Sequence, residues 1–160
     1  MRFFSTAVLC ILASSLARAD EGTQCRANAG TYLTGQVIEG PTFVPGHARK
    51  GVELSHTHLT LLSDQDGHRY DVAIDNVFAS GYDSAGRGVP APLSAIRKGD
   101  RLELCGKLYT NRGSGIDWVH TNCGDTPTAA QPDGWLKVIA GDGNPGPNLE
   151  GSQEYCRLWW

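Results

Sequence analysis

The apolar residues of this 160-residue chain fall in short alternating runs, cut apart by 20 glycines and eight prolines. A chain punctuated that often has little room for long helices, and alternation favours strands with one buried face. Residues 31–38 read as a first strand, with Gly35 as a bulge or bend. A loop over 40–51 carries Pro41, Pro45 and His47. Residues 53–62 form a second strand, and Asp66-Gly67 is a strong hairpin signal before a third at 68–77. In that third strand Tyr70, Val72 and Ile74 share one face, and Asp71, Ala73 and Asp75 the other. Residues 79–92 are loop, and 93–98 a short helical turn stopped by Gly99. Strands follow at 101–109, 116–122 and 135–140, with a Gly-rich turn at 111–115.

Three strands, a loop with a helical turn and two further strands are the order of an OB-type barrel. The expectation is therefore all-β: a small five- to six-stranded OB-like barrel with one short helical turn and a packed-back C-terminal tail. A small β-sandwich is the competing architecture. The tail is expected to fold back because it ends in Trp159-Trp160, and a pair of tryptophans rarely stays exposed.

The first nineteen residues read as a signal peptide. Arg2 precedes an apolar run from Phe3 to Leu16, and Ala17-Arg18-Ala19 is a small-x-small cleavage site. The run is too short to span a bilayer and no later stretch is apolar enough. Cys10 sits inside it, preceded by Val8-Leu9, which argues against a lipoprotein. Removing residues 1–19 leaves 141 residues, a single domain over 20–160, in the periplasm or outside the cell. The signal takes two basic residues and no acid, so 12 basic and 17 acidic residues remain, a net charge of −5. That balance argues against sequence-independent nucleic-acid binding, which depends on neutralising phosphates. Small molecules, glycans or a protein remain as partners.

Four cysteines stay in the exported part, Cys25, Cys105, Cys123 and Cys156, and point to two disulfides. Three pairings are possible. The lean is to Cys105–Cys123, flanking a hairpin, with Cys25–Cys156 tying the two ends.

Several segments between Gly35 and Trp135 resemble a family of small exported bacterial proteins classed as a domain of unknown function. They are His56-Thr57-His58-Leu59, Ala73-Ile74-Asp75-Asn76, Lys98-Gly99-Asp100, Gly113-Ser114-Gly115 with Asp117-Trp118-Val119-His120, and Pro132-Asp133-Gly134-Trp135. The resemblance implies export and an OB-like barrel, and no established activity. This chain departs from the family's pattern at Asp75 and Asp117, where His is frequent; either residue type can ligate a metal or move a proton.

The residues able to carry chemistry are His56, His58, Asp75, Asp117 and His120. His56 and His58 lie two apart on one strand and share a face. The Asp66-Gly67 turn sets a register that brings Asp75 within reach of His56. Asp117 and His120 fall on opposite faces of a regular strand, so both join one site only if a bulge intervenes. His56, His58, Asp75 and His120 have the donor types for a divalent metal, zinc or manganese, that activates water, with Asp117 or His120 as the catalytic group. Trp118, Tyr70 and Tyr109 are candidates for a ligand-stacking face. The first functional expectation is an exported, disulfide-stabilised binding module. The alternative is a metal-dependent hydrolase, of phosphodiesterase or nuclease type, and a purely structural role is a third reading. No nucleophile elbow or Cys-x-x-Cys redox motif is present.

Overall fold

The structure is a computed structural model that describes residues 21–110 and 113–160. The expected signal peptide, with Cys10, lies outside the described residues, as do Asn111 and Arg112 of the Gly-rich turn. Residues 21–27 are helical (α1). The strands are β1 (Thr31–Val44), β2 (Ala48–Arg49), β3 (Val52–Glu53), β4 (His56–Ser63), β5 (Arg69–Asp75), β6 (Arg101–Tyr109), β7 (Gly115–Asp117) and β8 (Trp135–Ile139). A four-residue helix α2, Ala91–Ser94, bridges β5 to β6. No described helix is long and apolar enough to cross a membrane.

Strands pair in the order β1-β4-β5-β7-β6, and β6 pairs back to β1, so five strands close a barrel. Every pairing in the ring is antiparallel except β5 with β7. This is the OB-type barrel expected from the order of elements, with β8 added. β7 and β8 share one edge of β6: β7 pairs with Lys107 to Tyr109, and β8 takes over from Cys105 to Arg101. The alternation in β4 puts Thr57, Leu59 and Leu61 inside and leaves His56, His58 and Thr60 outside. Leu59, Leu61, Val72, Ile74, Leu102, Leu104, Ile116 and Leu136 fill the interior. At about 25 cal/mol per Å² of apolar surface removed from water, this core is the main favourable term.

β6 lacks the usual alternation, because both of its faces are covered. Its outer face meets a small second cluster of Cys25, Cys105 and Trp135, flanked by Tyr32. The fully buried Glu103 sits there too, accepting from the Tyr32 hydroxyl at 3.0 Å and facing Lys137 at 3.4 Å.

Several expectations need correction. The disulfides are Cys25–Cys105 and Cys123–Cys156. Cys105 faces outward from β6 toward α1, and the residue opposite it is Trp135. The strand that was to bring Cys123 across stops at Asp117, so the two never meet. Each end of the chain is tied separately to the body. Gly35 is not a bulge; it stays in register with Ser63 and Leu102, and the irregularities of β1 fall after Val37 and around the cis Gly40-Pro41 bond. Gly35 is needed because a Cβ there would lie 2.3 Å from the Leu62 carbonyl oxygen. The tail does pack back, burying Tyr155, Cys156 and Leu158, yet Trp159 stays 38% and Trp160 67% exposed.

Candidate functional site

The fifth barrel strand ends early because Trp118 adopts a left-handed backbone, φ 56°. Only a few per cent of non-glycine residues do this, and it breaks the pairing. The break supplies the irregularity that Asp117 and His120 need to share one neighbourhood. The segment from Trp118 to Asn122 leaves β6 and turns across the end of β5, the parallel neighbour of β7.

The Pro132-Asp133-Gly134-Trp135 segment holds that turn in place. Gly134 N–H donates to the His120 carbonyl at 2.9 Å, and the Asp133 carboxylate accepts from Asn122 N–H at 2.9 Å. Gly134 admits no side chain, since a Cβ would lie 2.3 Å from the Cys105 carbonyl oxygen and 2.5 Å from that of Trp118.

Asp75, the last residue of β5, is bracketed by two imidazoles. His56 Nε2 lies 2.7 Å from one carboxylate oxygen and His120 Nε2 3.4 Å from the other. Burial alone would push the Asp75 carboxyl up, but hydrogen bonds from His120 and His56 outweigh it and hold it well below the usual carboxylate range. The bond to Asp75 correspondingly raises His56 against a smaller opposing effect of burial. His120 is 3% exposed, and its second nitrogen, Nδ1, is 2.9 Å from the Thr121 carbonyl. Both of its nitrogens therefore face acceptors. Its ring stacks on Phe78, with centroids 3.6 Å apart and planes 4° apart, and tilts against Trp118 at 5.0 Å. Phe78 in turn meets Trp159 at 5.5 Å.

These four rings wall a pocket of about 290 Å³. Asp75, Asn122, Cys123, Asp125 and Gln131 complete its lining. The volume is at the lower end of the range for small-molecule sites. Trp159 is brought there by the tail, which Cys156 pins to Cys123 in the wall. Arg49 lies over the Trp159 ring at 5.8 Å, and Lys50 Nζ contacts the Trp160 carbonyl at 2.6 Å.

The sequence candidates divide. Asp75, Trp118 and His120 line the pocket, and His56 supports Asp75 from outside it. Asp117 lies close enough to feel the charges of Asp75 and His120; burial, above all, raises its carboxyl, and one of its oxygens is buried without a hydrogen-bond partner. His58 is drawn elsewhere, to Asp71 at 2.9 Å, and Tyr109 donates to that same Asp71 at 2.5 Å. Tyr70 donates to Asp66 at 2.8 Å and packs on the core. Neither tyrosine lines the pocket. The four expected metal ligands are thus split, and among the described residues no group of three or more His, Cys, Asp or Glu side chains is arranged to hold a metal ion.

The sequence did not single out Phe78, Asn122, Asp125, Gln131 or Trp159 as parts of a site. It also passed over Glu150, which is fully buried, with neither carboxyl oxygen hydrogen-bonded. Burial, with some repulsion from Asp75, raises its carboxyl well above the usual range. A raised folded-state pKa means stability is present below about 4.5 and is lost as pH rises toward the folded value. Glu150→Gln should therefore gain about 1–3 kcal/mol at pH 7, less any loss from burying the amide, and nothing at pH 4. Urea unfolding at the two pH values reads this; an equal effect at both would contradict it.

No family model matches this chain, and no curated protein matches it in sequence.

Proposed function

We propose that this chain is an exported, disulfide-stabilised binding module, working in the periplasm or outside the cell, whose aromatic pocket holds a small ligand. The observation that carries the proposal is the condition of His120. Both of its ring nitrogens are engaged, by Asp75 and by the Thr121 carbonyl, and its ring is held between Phe78 and Trp118, so it is part of an aromatic wall and has no free nitrogen for moving a proton. The side chains around it are aromatic walls with a few polar groups, the usual make-up of a recognition site. Two disulfides support the exported setting. The motif resemblance to small exported proteins of unknown function points the same way. Binding is favoured over metal-assisted hydrolysis because His58 is held by Asp71, away from the other three expected ligands.

Thermal-shift titration with small ammonium compounds, methyl glycosides and organic acids tests this. One class should raise the melting temperature of the wild type and of His58→Ala by several degrees near saturation, since a ligand at 100 times its Kd adds about 2.7 kcal/mol. Trp118→Ala should lose most of that shift. Equal shifts in wild type and Trp118→Ala would remove the pocket from the account.

A further inference from the structure

The lining of the pocket narrows what it can hold, and the step taken here rests on the pocket being a binding site. Among its described lining residues there is no lysine or arginine. His120 is the one that can carry positive charge, and Asp75 answers it within the wall. The polar groups that remain for a ligand are chiefly acceptors. The Asp125 carboxylate at the rim is exposed and forms no hydrogen bond or ion pair with other described residues; only its backbone carbonyl is used, by Asn122. Gln131 adds an exposed amide. Trp118 cannot offer its indole N–H, because that atom is buried. It offers its ring to the pocket, as does Trp159.

Ring faces combined with an unpaired carboxylate, with no lysine or arginine among the described lining residues, are the chemistry that recognises a diffuse cation. The negative face of each indole attracts positive charge, and the methyl groups of an alkylated ammonium gain burial that a hydrated metal ion or a primary amine would not. An anionic ligand would meet the unpaired Asp125 carboxylate at the rim. The chain already uses this chemistry at the same ring, where Arg49 lies over Trp159 without lining the pocket. We infer that the pocket takes a compact organic cation, an alkylated ammonium whose methyl groups lie on Trp118 and Trp159 and whose charge is matched by Asp125.

Choline and its neutral carbon isostere 3,3-dimethylbutan-1-ol separate charge recognition from apolar fit. Isothermal titration of the disulfide-intact protein with each, and with methyl β-glucoside, makes the comparison. Choline should bind about tenfold more tightly than the isostere, the size expected for ring faces acting on a desolvated cation. Asp125→Asn, on an exposed rim that tolerates the change, should weaken choline about threefold and leave the isostere unchanged. Trp118→Ala should weaken choline about tenfold or more. Equal binding of choline and isostere, or tighter binding of the glucoside lost in Trp118→Ala, would overturn the cation inference and leave the pocket standing. Absence of binding by every probe would overturn both.

Discussion

Replacing both Cys25 and Cys105 by serine should destabilise the chain by about 4–5 kcal/mol, the largest single loss expected. The bridge closes a loop across 80 residues of sequence, and removing it returns that freedom to the unfolded chain. Both cysteines are fully buried, in the cluster that covers the outer face of β6. Two serine hydroxyls there would add a desolvation penalty. The loss should appear in the urea midpoint, and α1 should lose its protection against hydrogen exchange before the barrel does. The second bridge, Cys123–Cys156, spans 33 residues, so its removal should cost less, about 4 kcal/mol on the same basis. Its loss should instead be felt at the pocket, because Trp159 would no longer be held in the wall. A double serine variant at 25 and 105 as stable as wild type would contradict the part given to that staple.

Asp75→Ala should cost about 1–3 kcal/mol, the scale for leaving a buried polar group without its partner. His120 would keep its place between Phe78 and Trp118 with its Nε2 facing nothing, at 3% exposure. His56 is more than a third exposed, so water can replace its lost partner. The expected order is therefore Asp75→Ala below His56→Ala, with the latter within about 1 kcal/mol of wild type. The two groups also act in opposite directions with pH. The depressed pKa of Asp75 gives stability that is present above about 3.9 and lost as pH falls through and below that value. The raised pKa of His56 gives stability that is present below about 6.5 and lost as pH climbs past it. Together with Glu150, these place maximum stability on the acid side of neutrality. A stability profile that rises from pH 5 to pH 8 would contradict that assignment.

What could be read from the sequence was whatever depends on local order. Strand β6 runs from Arg101 to Tyr109 as its Leu102-Leu104 pattern predicts. The barrel order followed from counting elements, and the His56–Asp75 contact from the register set by the Asp66-Gly67 turn. The disulfides escaped because β7 stops at Trp118, and a left-handed tryptophan has no sequence signal. The same break carried His120 to Asp75, so the site was legible in its residues and not in its shape. Phe78 and Trp159 belong to segments about eighty residues apart that meet only in three dimensions, while Glu150 looks like an ordinary surface acid until the core covers it. Tyr70 and Tyr109 looked like a stacking face from composition, yet their hydroxyls are committed to Asp66 and Asp71.

The four tryptophans of this chain offer the most direct test, since two share the pocket and the other two lie away from it. Trp118 and Trp159 line the pocket, Trp135 is buried beneath α1, and Trp160 is in the open. Fluorine NMR of 5-fluorotryptophan-labelled protein, titrated with choline, methyl β-glucoside and acetate, reads all four at once. A recognised ligand should move the Trp118 and Trp159 resonances together and leave Trp135 unmoved. A panel that moves none of the four, or moves Trp135 or Trp160 while Trp118 stays still, would contradict the pocket as the working site.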